Sequence, residues 1–99
     1  MAKNGMIEGI VINGDYEQFQ KEYERIRIGN RIAELRKTIT WRDAAGINRT
    51  GMTQTELGER CGLSQSHIAR IERGMYNFQL DTLAQIAKAL GCKIDFVKE

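Results

Sequence analysis

Gln65, Ser66, Ala69, Arg70 and Arg73 stand at spacings that, at roughly 100° per residue, gather them on one arc of a helix. Ser64, Ile68 and Ile71 fall on the opposite side. The first arc carries amide and guanidinium groups beside small side chains. That chemistry suits the major groove of duplex DNA, where glutamine pairs bidentately with adenine and arginine with guanine. Ser66 and Ala69 are small enough to let the helix approach closely, and the Ala69 methyl can meet the methyl of thymine. The expected base-reading residues are therefore Gln65, Ser66, Ala69 and Arg70. An ordinary amphipathic helix also carries a solvated polar face, so this face decides nothing alone. The elements around it must decide.

Thr53-Gln54-Thr55-Glu56 has the form of a capping box, in which the hydroxyl and the carboxylate each satisfy a backbone N–H at a helix start. The pattern that follows is a helix over 54–60, a tight turn over 61–63 and a second helix over 64–73. Gly62 stops the first helix, Ser64 caps the second, and Gly74 ends it. Asp81 is expected to cap a further helix that buries Leu83, Ile86, Ala87 and Leu90 and stops at Gly91. Residues 93–97 alternate in hydrophobicity, which predicts a closing strand.

Upstream, residues 6–12 are short, apolar and β-branched, and predict a strand. Asn13-Gly14-Asp15 forms a turn with Asp15 as a helix cap. Tyr16, Phe19, Tyr23 and Ile26 then make one stripe on a helix over 16–27. Gly29 is expected to break or bend it before a helix carrying Ile32, Leu35 and Ile39. Residues 38–52 lose the helical period and are expected to form a small hairpin or an ordered loop, with Trp41 folded back on the core. The fold class is thus mainly α, with short terminal strands and an insert at 38–52.

The bulk numbers agree with one modest domain of 99 residues. Net charge is +2, divided as −1 over residues 1–28 and +3 over residues 29–99. The basic excess coincides with the expected reader, although many proteins that bind no nucleic acid share such an excess. Ile10-Val11-Ile12 is too short for a signal peptide or a membrane span, so a soluble, cytoplasmic protein with no membrane partner is expected. Cys61 and Cys92 make no disulfide framework and are read as plain thiols. An enzyme is not expected. The single histidine, His67, forms no recognisable nucleophile–base pair with Cys61, and no glycine-rich phosphate loop is present. Cys61, His67 and Cys92 lack the paired spacing of a zinc site, so neither metal nor cofactor is expected.

The stretch from Met52 to Gly74 closely resembles the helix-turn-helix of the lambda-repressor/Cro-like (XRE-type) family of bacterial and phage regulators. Thr53-Gln54, Glu56-Leu57, Gly62, Ser64, Ile68 and Ile71-Glu72 before Gly74 carry the likeness. It extends to Ile28-Gly29, Arg31-Ile32 and Leu35-Arg36 upstream, and to Leu83, Ile86-Ala87 and Ala89-Leu90-Gly91 downstream. The resemblance implies a helical DNA-binding core of five helices, normally a homodimer that docks two reading helices on duplex DNA. Carried over by position, it makes Gln65, Ser66 and Arg70 base readers. Gln54 would bind phosphate and brace Gln65, aided by the helix N-terminus that Thr53 opens. Arg73 and Asn77 would lie near the phosphate backbone. Arg36 and Glu72 would form a structural ion pair.

Three departures stand out. The link between Arg36 and Gln54 holds 17 residues, including Arg42 and Arg49, which act as an arm on the DNA backbone or lie in a passive surface loop. Gly58 stands where the family has alanine. Residues 1–28 lie outside the family core, as an extension for packing or dimerisation, followed by the core at 29–91 and a terminal strand at 92–99. The reading is a sequence-specific transcriptional regulator, most simply a repressor. The alternative is an antitoxin that binds operator DNA and also caps a toxin protein.

Overall fold

The computed structural model describes residues 6–7, 10–11 and 16–98. Two short strands come first, β1 (Met6–Ile7) and β2 (Ile10–Val11). They pair antiparallel, Met6 with Val11 and Ile7 with Ile10. The one strand expected over 6–12 is therefore two, each half of the apolar stretch pairing with the other. The turn expected at 13–15, with Asp15 as cap, lies outside the described residues.

Helix α1 (Tyr16–Thr38) runs unbroken through Gly29, contrary to the expected break. Gly29 is buried, and a Cβ built on it would lie 2.4 Å from the Ile71 carbonyl oxygen and 2.7 Å from that of Glu72. The missing side chain lets two helix backbones touch, which is a tertiary reason for a residue that helix propensity disfavours by roughly 1 kcal/mol. Along the first half of α1, the rings of Phe19 and Tyr23 sit 6.2 Å apart. Along the second half, Ile32 is buried and Leu35 packs on the core.

The insert is a hairpin of β3 (Thr40–Arg42) and β4 (Asn48–Thr50), with Trp41 opposite Arg49. Asp43 shapes its turn, since Oδ1 accepts from the N–H groups of Ala45 at 3.0 Å and Ile47 at 2.9 Å. Trp41 folds back as expected. It packs against the core and donates from Nε1 to the Gly51 carbonyl at 2.7 Å.

Three helices follow: α2 (Gln54–Cys61), α3 (Gln65–Glu72) and α4 (Leu80–Ala89). The capping box at Thr53 forms in full, and Gly62 ends α2 in the left-handed region at φ 74°. Gly58 is buried, and a Cβ there would lie 2.4 Å from the Leu63 carbonyl oxygen, so the turn presses on α2 closely. Ser64 caps α3 by accepting from the His67 N–H at 3.1 Å. Asp81 does not cap α4. Gln79 is the cap residue, without a side-chain bond, and Asp81 sits in the first turn, where a carboxylate favours the positive end of the helix dipole.

The core lies where these helices meet. Leu57, Ile68, Ile71 and Ile86 are its fully buried side chains, joined by Ile32, Met52 and Leu90. Burying each large one stabilises by roughly 1.5–3 kcal/mol. Residues 92–98 form no strand, and no helix follows α4 among the described residues. The closing strand therefore stays unmade. Its alternation is present in Ile94 and Phe96, but no described strand pairs with it, and Phe96 is 99% exposed. The fifth helix that the resemblance implied is likewise absent from the described residues.

Candidate nucleic-acid interface

The reading face is built on a buried ion pair. Arg36 on α1 faces Glu72 on α3, with side chains only 9% and 6% exposed. The contact is bidentate: Arg36 Nε donates to Glu72 Oε2 at 2.6 Å, and Nη2 donates to Oε1 at 3.0 Å. Arg36 Nη1 donates to the Met52 carbonyl at 2.7 Å. The pair thus ties α1 to α3 and to the residue before the α2 cap.

Glu72 has a further acceptor direction, and Gln54 uses it. Gln54 Nε2 donates to Glu72 Oε1 at 2.9 Å. Gln54 in turn accepts on Oε1 from Gln65 Nε2 at 2.6 Å. Gln65 stands exposed at the first position of α3, so the brace implied for it has a physical form. The link from Glu72 to Gln54 was not read from sequence. Its only trace there is that a carboxylate can take four hydrogen bonds and an arginine fork fills two.

Ser66, Arg70 and Arg73 are exposed on the same arc of α3 as Gln65. The Arg70 guanidinium lies over the Tyr76 ring at 5.9 Å, which restrains its direction. Ala69 differs from expectation, being buried at 7% exposure. A methyl flanked at i±4 by Gln65 and Arg73 has the shortest reach on that stripe, and little of it remains for a thymine methyl. His67 packs inward, edge-on to Tyr76 at 4.6 Å between centroids, and its Nε2 is buried without a partner.

At the start of α2 the capping box already uses part of the anion seat. Thr53 Oγ1 accepts from the Glu56 N–H at 3.0 Å, and the Thr53 N–H donates to the Glu56 carboxylate at 2.8 Å. The Thr53 N–H bond foremost, with a smaller contribution from the Thr53 hydroxyl, holds the Glu56 carboxyl below the usual glutamate range. The N–H groups of Gln54 and Thr55 stand in the first turn of α2, where no carbonyl of the helix is available to them.

The insert stands beside α2. Arg49 lies between two carboxylates, 3.7 Å from Asp43 and 3.4 Å from Glu56. Arg49 and Arg60 both sit over the Trp41 ring, at 5.3 and 5.6 Å. Arg42 is exposed, with Nε 3.4 Å from Asn48 Oδ1. Asn77 is exposed between α3 and α4, bordering a cleft shared with Arg25 and Ile28 of α1. Gln54 and Gln65 are thus bonded to each other, Ser66 and Arg70 share α3 with Gln65, and Asn77 and the hairpin arginines stand on other elements. Cys61 is half-buried; burial raises its thiol pKa, and nearby Arg60 works against that shift. Among the described residues, no cluster of three metal-ligating side chains occurs, and no helix is long and apolar enough to cross a membrane.

Residues 47–97 match the model of a family described as helix-turn-helix. An HTH-type transcriptional regulator of Haemophilus influenzae is 37% identical over 84 residues, covering 84% of this chain and 81% of that protein. The immunity repressor protein of Bacillus phage phi105 is 36% identical over 70 residues, and the chain spans 41% of its length. The control protein C.BamHI of Bacillus amyloliquefaciens is 31% identical over 67 residues, covering 68% of this chain and 70% of that protein. Among solved structures, a toxin-antitoxin module from Streptococcus pneumoniae superposes with a TM-score of 0.54 at 29% identity, covering 87% of this chain and 82% of that one. The ion pair, the capped turn and the braced glutamine, together with these matches, make the chain a member of the lambda-repressor/Cro-like helix-turn-helix family.

Proposed function

We propose that the protein is a sequence-specific transcriptional regulator, acting as a repressor, that seats α3 in the major groove of duplex DNA. Gln65, Ser66 and Arg70 read base edges. Gln54, Thr53, Arg73 and Asn77 contact phosphates, and Arg42 and Arg49 reach the backbone from the hairpin. The observation that carries this reading is the 2.6 Å bond from Gln65 to Gln54. It holds an exposed amide in place at the start of a helix whose neighbouring groups are a hydroxyl and two guanidiniums. A merely solvated glutamine needs no such partner. Binding as a homodimer supplies the second half-site that one short helix lacks.

Selection of sites from a random duplex library, followed by titration at two salt concentrations, tests the reading. An enriched inverted repeat, with half-sites about one helical turn (roughly 34 Å) apart, is the expected result. Weak, salt-sensitive binding without enrichment would remove sequence-specific reading from the isolated chain.

A second reading is an antitoxin that binds both an operator and a toxin. Its support is the likeness to the toxin-antitoxin module, which covers 87% of the chain and so reaches beyond residues 47–97. Residues 1–28 would then cap the toxin. Co-purification with the product of an adjacent, growth-inhibiting reading frame would establish it, and absence of any such frame would end it.

A further inference from the structure

We propose that Glu72 is a positioning residue that fixes which way the reading amide of Gln65 points its donor and acceptor, and thereby makes the protein prefer adenine over guanine at one base. The proposal rests on Gln65 being a base reader. Its argument is one of hydrogen-bond polarity. A carboxylate only accepts. Gln54, 2.9 Å from Glu72 Oε1, must therefore turn its Nε2 toward that carboxylate and its Oε1 away from it. That oxygen is the group Gln65 meets at 2.6 Å, so Gln65 must donate its own Nε2. Each amide is oriented by the one before it, starting from a carboxylate that Arg36 holds by a two-point contact.

What remains on Gln65 is one N–H and one carbonyl oxygen. Adenine presents an acceptor at N7 and a donor at N6, which match those two groups. Guanine presents acceptors at both N7 and O6. Against guanine, the remaining N–H can serve one acceptor, and the Gln65 oxygen is left facing the other. An unconstrained glutamine would rotate its amide to suit. Here rotation would set Gln65 Oε1 against Gln54 Oε1, or would turn Gln54 so that its own oxygen opposes the Glu72 carboxylate. The buried ion pair is thus wired to a base preference by two amides, without touching DNA itself.

The test uses the full chain and its selected site. Gln65→Ala first identifies the base that Gln65 reads, as the position where preference relaxes. Affinity is then compared for adenine and guanine at that position, and for the base pair read by Arg70 as a control. The wild type is expected to favour adenine by about tenfold or more. Glu72→Gln replaces a pure acceptor with a group that can donate or accept. Gln54→Leu cuts the relay while leaving the ion pair intact, and decides the matter if Glu72→Gln fails to fold. Both variants, where folded, are expected to lose most of the adenine preference while the Arg70 control ratio stays within about twofold. An unchanged adenine-to-guanine ratio in folded Gln54→Leu overturns the relay, and the same result in folded Glu72→Gln overturns the role of Glu72. A parallel loss at both bases overturns it too, since that marks a general loosening. A wild type with no preference at that base, or Gln65→Ala relaxing no position, removes base reading by Gln65 and the proposal with it.

Discussion

Gly29 on α1 lies so close to Ile71 on α3 that a single added methyl would sit 2.4 Å from the Ile71 carbonyl oxygen. The obstacle is backbone, which cannot rotate aside as a side chain would. Gly29→Ala gains helix propensity but must push α1 off α3. The expected net effect is a loss of roughly 1–3 kcal/mol, typical of overpacking. Thermal unfolding is the measurement. A rise in Tm would mean that the two helices separate without penalty.

Glu72→Ala strands the Arg36 guanidinium, whose side chain is 9% exposed. The expected cost is about 3–5 kcal/mol, read from denaturant unfolding. The double variant Arg36→Met with Glu72→Leu removes both charges and is expected to recover most of that loss. If the single variant unfolds at the wild-type midpoint, the pair contributes nothing to stability.

Arg70→Ala is expected to weaken binding to the selected site by roughly 1–3 kcal/mol and to relax preference at one base pair. Specific and random duplexes weakening equally would assign Arg70 to phosphate instead.

The two hairpin arginines should behave differently. Arg49 is already flanked by Asp43 and Glu56, whereas Arg42 meets the neutral amide of Asn48. Arg42→Ala is expected to lower affinity on all sequences and to reduce the slope of log K against log salt by about 0.9. Arg49→Ala should change the slope by less. Identical slopes for both variants and the wild type would make the insert a bystander on DNA.

Glu56 has a folded-state pKa below its ordinary value, because the Thr53 backbone N–H and hydroxyl bond its charged form. A depressed carboxyl stabilises the fold above the unfolded-state pKa, and that stability is lost as pH falls through the folded-state value. Glu56→Gln retains the capping geometry without a titrating group. Its Tm is expected to fall less than that of the wild type as pH drops through the acid range. Parallel curves would show that the box does not titrate.

What could be read in advance was what is local. Thr53, Glu56, Gly62 and Ser64 act within a few residues of themselves, and their spacing alone implies the caps and the turn. Gly29 could not be read this way, because glycine in a helical pattern looks the same whether it breaks a helix or admits a neighbour. The difference lies 42 residues away, at Ile71. Residues 93–97 failed for the converse reason. Their alternation is real, but a strand needs an edge to pair with, and they pair with none of the described strands. Ala69 was placed by helical angle alone, which says where a Cβ points and nothing of how far its neighbours extend. The pairing of Arg36 with Glu72 came from resemblance. So did the brace of Gln65 by Gln54, but no local pattern announces the bond from Gln54 to Glu72 that joins the two, since four residues from three helices meet there.

The hairpin insert leaves and returns at almost one point. The Met52 N–H bonds the Arg36 carbonyl at 2.9 Å, and the Gly51 N–H bonds that of Ile39 at 2.7 Å. Arg36 then grips Met52 a second time through its side chain. The chain is stapled at the neck, so everything between is a side branch. Loop closure grows only slowly with length, by about 0.6 kcal/mol per doubling. Evolution can therefore lengthen or shorten this branch beyond Trp41 while the reading machinery keeps its registration. An engineer grafting a foreign peptide would find the port at the exposed turn 44–46, clear of Trp41 and of both arginines.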